Sequence, residues 1–112
     1  MAVQVIMSQK QGPLPLNAQF NAVSSSINYL EINGSVWTTT ANKMIGIQVV
    51  LDGTVLGTAQ IFSNTASTHR AVVSAFFKIQ LNQGPHTLAL NLIPGSTTTS
   101  DINDFFTAVI HY

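Results

Sequence analysis

The sequence predicts an all-β protein, an antiparallel β-sandwich of jelly-roll topology with about eight strands. Three observations carry that prediction. Apolar residues recur at every second position, as in Ile45, Ile47, Val49 and Leu51, and no window shows a convincing helical period. The alternating stretches are short and separated by Gly, Pro, Asn and Asp clusters at the spacing of a sandwich. The segment Asp104–Tyr112 contains two Phe, a Val, an Ile and a terminal Tyr with no Gly or Pro, which favours an extended, pleated chain.

Taken in order, Ala2–Met7 reads as a first short strand. Gln11–Leu16 holds two prolines one residue apart, which excludes helix, and reads as an irregular edge connection. Asn17–Ser24 sets Ala18, Phe20 and Ala22 against Asn17, Gln19 and Asn21, a half-buried strand ending in the Ser24–Ser26 loop. Asn28–Thr40 places Leu30, Ile32 and Val36 in one phase, with Asn33-Gly34 read as a turn or bulge. Asn33-Gly34-Ser35 also matches a glycosylation sequon, and the turn reading takes precedence in the absence of a leader.

Met44–Leu51 is the cleanest alternation. Asp52-Gly53 closes a two-residue hairpin, because both residues tolerate the positive φ of a type I′ turn, and Thr54–Phe62 returns as the partner. After a polar loop, Ser63–Thr68, the sequence predicts one long strand over Arg70–Leu81 with Ala71, Val73, Ala75, Phe77, Ile79 and Leu81 on one face. Asn82–Pro85 turns it, His86–Ile93 returns with Leu88, Leu90 and Leu92 in phase, and Pro94–Asp101 is a loop.

The last strand is expected inside a sheet, since an apolar segment left loose forfeits burial and invites aggregation. It would carry Phe106, Ala108, Ile110 and Tyr112 on one face and Phe105, Thr107, Val109 and His111 on the other. Two usable apolar faces suggest the sandwich core on one side and a neighbouring subunit on the other.

Composition narrows the function classes. The 112 residues form a single domain, 1–112. Only 7% are charged and the net charge is zero, against about 25% charged in ordinary domains. Such a surface lacks repulsion between copies and lacks the basic patch that nucleic-acid binding needs, since Lys10, Lys43, Arg70 and Lys78 are scattered. There is no cysteine, which excludes disulfides and thiolate metal sites. No signal peptide and no membrane span are read, which leaves cytosolic, virion-associated or leaderless export as locations.

The chemistry-bearing residues are few. His69, His86 and His111 show no metal-ligand spacing and are expected to be satisfied locally, the alternative being one His per subunit around a three-fold axis. Asp101, Asn103 and Asp104 bring three oxygen-bearing side chains within four residues, as a hard cation or sugar hydroxyls would want, although Asp and Asn also commonly precede strands. Asp101 and Asp104 are the only acids close in sequence, and no third group stands nearby to orient them. No Gly-x-Ser-x-Gly elbow and no phosphate-cradling Gly loop occurs, so the chain is not expected to be an enzyme, and no cofactor or metal is expected. Trp37, beside Thr38-Thr39-Thr40, is a core residue or a plate for a sugar ring.

Phe106-Thr107-Ala108-Val109-Ile110, followed by Tyr112, resembles the closing strand of the C1q/tumour-necrosis-factor-like jelly roll, which typically reads Phe-Ser-Gly-Phe-Leu and then another apolar or aromatic residue. Here Ala108 replaces the small Gly. The hairpin from Phe76–Leu81 through Gly84-Pro85-His86-Thr87-Leu88-Ala89-Leu90 resembles that superfamily's Gly-x-His-x-Leu-x-Leu return strand, most like its small bacterial and phage-associated members. The resemblance covers the C-terminal part of the chain and is loose in the first half. It implies a homotrimer with closing strands near the three-fold axis, and a binding or structural head without catalytic machinery.

The resulting expectation is a non-enzymatic trimeric binding head, lectin-like or receptor-binding, for a neutral glycan-type ligand. Trp37, Asn64, Thr65, His69, Arg70, Asp101, Asn103 and Asp104 would form the site, because neutral hydroxyl ligands are read by amides, hydroxyls and an aromatic plate. The alternative is a structural self-assembly module of a virion, tail or capsid type, with no small-molecule ligand.

Overall fold

A computed structural model describes residues 2–112. It contains ten strands: β1 (Val3–Gln11), β2 (Leu16–Ala22), β3 (Ile27–Thr38), β4 (Lys43–Leu51), β5 (Thr54–Ser63), β6 (Arg70–Ala71), β7 (Ala75–Gln80), β8 (Gly84–Leu92), β9 (Thr98–Thr99) and β10 (Phe105–His111). Eight have six residues or more, and β6 and β9 are two-residue pairings against the C-terminal half of β3.

The chain is rolled as a doubled ribbon. Asp52 (φ 50°) and Gly53 (φ 80°) form its tip, between β4 and β5. Moving away from the tip, β3 pairs with β7, β2 with β8, and β1 with β10, all antiparallel. Two further pairings, β10 with β3 and β4 with β8, wrap the ribbon into two sheets of order β1-β10-β3-β7 and β2-β8-β4-β5. That is the jelly roll expected from the alternation. We call the first the terminal sheet and the second the hairpin sheet.

The core lies between them. Leu30, Ile32 and Val36 of β3, Phe106, Ala108 and Ile110 of β10, Ile45, Ile47 and Val49 of β4, and Leu88 and Leu90 of β8 are all at most 1% exposed. Each set occupies alternate positions of its strand, so one face of each sheet is dry. The last strand lies between β1 and β3, as expected from its apolar content. Tyr112 departs from the expected face: it lies past the end of β10, 40% exposed, exchanging backbone hydrogen bonds with Ala2.

Two expectations are corrected. Asn33-Gly34 is neither turn nor bulge, because β3 runs unbroken through it. Glycine is required there because the Phe106 ring fills the space a side chain would take. The long strand over Arg70–Leu81 is broken between Ala71 and Ala75. Val72 donates its N–H to Gly34 O in the terminal sheet, while Val73 donates to Gln60 O in the hairpin sheet. The segment therefore spans both sheets. This shifts the apolar phase, burying Val72 and leaving Val73 65% exposed.

The Pro-rich connection from β1 to β2 joins the edge strands of the two sheets. Its Leu14 plugs the core at 5% exposure. Its backbone grips the segment before β10: Gly12 N–H donates to Asp104 O, and Leu14 N–H donates to Ser100 Oγ.

Candidate functional site

The inward positions of β3 leave Tyr29, Glu31, Asn33, Ser35 and Trp37 facing outward from the terminal sheet. At the Ser35–Trp37 end, two loops converge. The loop after β5 is tied to β3 by Ser67 N–H donating to Thr38 O at 2.7 Å. The loop before β10 turns through a bond from Asp104 N–H to Asp101 O.

Asp104 is the centre of this region and has no exposed surface. Its Oδ1 accepts Ser35 Oγ–H at 2.6 Å and His69 Nδ1–H at 2.6 Å, and its Oδ2 accepts Asp101 N–H at 2.8 Å. A buried carboxylate is tolerated only with such donors. The bond to Asp104 raises the pKa of His69 above its ordinary value, against the opposing effect of burial, and the Asp104 and Asp101 charges add to the rise. The other ring nitrogen, Nε2, faces Asp101 Oδ2 at 3.6 Å. The His69 ring lies 5.9 Å from that of Trp37, tilted by 46°. Trp37 is half-buried, and its indole N–H is enclosed without a partner.

Of the eight expected site residues, Trp37, His69, Asp101 and Asp104 are thus brought together. Asp104 is fully buried with both carboxylate oxygens on protein donors, so its side chain is closed to a ligand from outside. Asn103 is exposed beside them, its N–H on Asp101 Oδ1. Arg70 is half-buried in β6 opposite Val36. Asn64 and Thr65 are exposed in the loop after β5, and their side chains make no hydrogen bond to the cluster. Ser35 is the member that sequence reasoning missed. Nothing in the sequence singles it out beyond its place in the Asn33-Gly34-Ser35 sequon. Similarly, His69 and Ser35 are the orienting groups that Asp101 and Asp104 lacked in sequence.

The other two histidines each meet an acid. His86 lies between Asp52 Oδ2 (2.6 Å from Nδ1) and Asn82 O (2.6 Å from Nε2), which joins the ribbon tip to the turn before β8. The Asn82 carbonyl and then Asp52 raise its pKa. For Asp52, burial pushes upward, but the Thr87 N–H and His86 outweigh it and the pKa is lowered. His111 Nε2 donates to Glu31 Oε1 at 2.8 Å, lowering the Glu31 pKa, with help from Asn33.

That last pair sits in a mostly apolar face. Residues directly opposite across strands share a face, and two rows run across the outside of the terminal sheet. Val5, Val109, Glu31 and Phe76 form one, and Val3, His111, Tyr29 and Lys78 the next. Val3, Val5, Tyr29 and Phe76 are 49–58% exposed. Ile27, Tyr29, His111 and Tyr112 line a shallow apolar cleft at its edge.

No protein-family model matches the chain, and no curated protein matches it in sequence. Solved structures do match in fold. The CBM36-1 domain of a multidomain xylanase from the hindgut metagenome of Trinervitermes trinervoides aligns over 99% of this chain and 96% of its own, at 10% identity and a TM-score of 0.56. A carbohydrate-binding module CBM36, solved in complex with calcium and xylotriose, aligns over 99% and 98%, at 12% identity and a TM-score of 0.50. The globular domain of zebrafish complement 1qA aligns over 96% and 89%, at 13% identity and a TM-score of 0.51. The likeness in fold thus extends along nearly the whole chain, and the protein folds as a jelly roll, as these domains do.

Proposed function

We propose that this chain is a non-enzymatic binding head for a neutral glycan. The observation that carries the reading is the gathering of Trp37, His69, Asp101 and Asn103 at one end of β3. There an aromatic ring, an imidazole, a carboxylate and an amide stand together around a buried, fully bonded Asp104. Such a set reads hydroxyl groups by hydrogen bonding and a sugar face by contact. Asn64, Thr65 and Arg70 flank it. His69 Nε2 faces a carboxylate and not a serine or threonine hydroxyl, an arrangement unlike a nucleophile–base pair. The carbohydrate-binding modules that share this fold support the sugar class. A glycan array tests it, with Asp101→Ala and Trp37→Ala as controls. Binding to neutral glycans that both substitutions abolish is expected, and a blank array from folded protein overturns the reading.

A second observation favours self-association. The outward rows of the terminal sheet hold Val3, Val5, Tyr29, Val109 and Phe76 around one internal His111–Glu31 pair. Apolar patches of this kind mark contact surfaces. The C1q-like fold suggests a trimer with β10 near its axis. The same face supports the alternative of a purely structural assembly module, which a trimer with a blank array would favour.

A further inference from the structure

We propose that His69 and Asp101 form a binding site for a divalent transition metal of the zinc class, with Asp104 as the group that positions His69. The sequence spacing offered oxygens for a hard cation at Asp101–Asp104 but did not place His69 beside them. His69 and Asp101 are brought together by two separate loops, and the ligand-capable atoms of His69, Asp101 and Asp104 lie within 4.8 Å of one another.

Asp104 Oδ1 holds Nδ1–H of His69 at 2.6 Å, so Nδ1 is the protonated nitrogen and Nε2 is the one left to act as a ligand. A carboxylate that fixes the far nitrogen of a metal-binding imidazole orients the ring and makes it a better donor. Here that carboxylate is itself held by Ser35 and the Asp101 backbone. Nε2 then faces Asp101 Oδ2 across 3.6 Å. That distance is too long for a hydrogen bond. Two ligands each about 2.0–2.2 Å from a tetrahedral zinc ion are separated by about 3.3–3.6 Å, so the gap matches one edge of such a site. Asp101 is also preset, because Asn103 N–H holds its other oxygen at 2.8 Å. The His69 and Asp101 side chains are each 37% exposed, which leaves the remaining coordination positions open to solvent.

The donor set selects the metal. Calcium takes about six to eight oxygens. Both oxygens of Asp104 are already engaged by protein donors, which leaves one free carboxylate oxygen and one imidazole nitrogen. That pair fits zinc, copper or nickel and fits calcium poorly.

The chain supplies its own reporter. Trp37 is its sole tryptophan, and its ring lies 5.9 Å from that of His69. The experiment titrates the intact protein with Cu²⁺ while following Trp37 emission, then repeats the titration in the presence of Zn²⁺ or Ca²⁺, all without glycan. Saturable quenching is expected, shifted to higher Cu²⁺ by Zn²⁺ and unmoved by Ca²⁺. His69→Gln should abolish the saturable phase. Asp101→Asn, which keeps the oxygen that Asn103 binds, should move the midpoint about tenfold or more, and Asp104→Asn by about 10–100-fold. His111→Gln, away from the site, should leave the midpoint unchanged. Circular dichroism checks the fold of each variant, and Asp101→Asn, an exposed substitution, carries the test if His69→Gln unfolds. Quenching without saturation, identical curves for wild type and Asp101→Asn, or displacement of Cu²⁺ by Ca²⁺ each overturn the proposal. Because no glycan is present, this result is separate from that of the array.

Discussion

Gly34 of β3 lies directly opposite Phe106 of β10, and a methyl group on its Cα would overlap the Phe106 ring and meet Ile47 Cδ1 at 3.0 Å. The contact joins the two central strands of the terminal sheet to the hairpin sheet across the core. Gly34→Ala is therefore expected to destabilise the fold by about 1–3 kcal/mol through overpacking, and Phe106→Ala by about 3–5 kcal/mol through the cavity it opens. The double substitution should cost less than the sum, because each change relieves the other. Urea unfolding of the four proteins measures this, and strict additivity would show that the two residues do not share the space.

His86 gives the stability a pH window. Its pKa is raised in the folded state, so its contribution is fully present below the ordinary 6.5 and is lost as pH rises through the folded value. The pKa of Asp52 is lowered, so its contribution is present above the ordinary 3.8 and is lost as pH falls through the folded value. Both act together between those limits. The stability difference between wild type and His86→Gln should be largest near pH 5 and should shrink as pH rises through the raised folded value. A difference that stays flat from pH 5 to pH 9 would mean that the ring acts only by packing.

The outward rows of the terminal sheet predict association. Val5 and Phe76 are 56% and 58% exposed, so Val5→Asp and Phe76→Asp bury no charge in a single chain. Val5→Asp should change unfolding free energy by no more than about 1 kcal/mol, and Phe76→Asp, which sets a carboxylate opposite Glu31, by about 1 kcal/mol. In an assembly the same carboxylates would be buried without a partner, a costly arrangement. Native mass spectrometry should show wild type as a multiple of the 12.0 kDa chain and both variants as the single chain. Wild type running as a single chain at high micromolar concentration would end the self-association reading.

The sequence alone determined where the chain is pleated and where it turns back. Ile45, Ile47, Val49 and Leu51 reveal their strand because a side-chain period of two is a local property. Asp52-Gly53 reveals its hairpin because positive φ is a local demand. The apolar run from Phe105 to Ile110 announced a strand within a sheet because no exposed strand tolerates that content. What the tertiary structure decided are the relationships between distant segments. Val72 replaces Val73 in the core because its neighbours bond to different sheets. Gly34 looked like a turn because a glycine needed for room and one needed for φ are the same letter. The candidate site was half visible: Trp37, His69, Asp101 and Asp104 were candidates by residue type. Their convergence, with His69 and Asp104 separated by 35 residues, and the role of Ser35 depend on how the ribbon rolls. Which side chains meet is set by the pairing of strands far apart in the chain, and no local pattern encodes it.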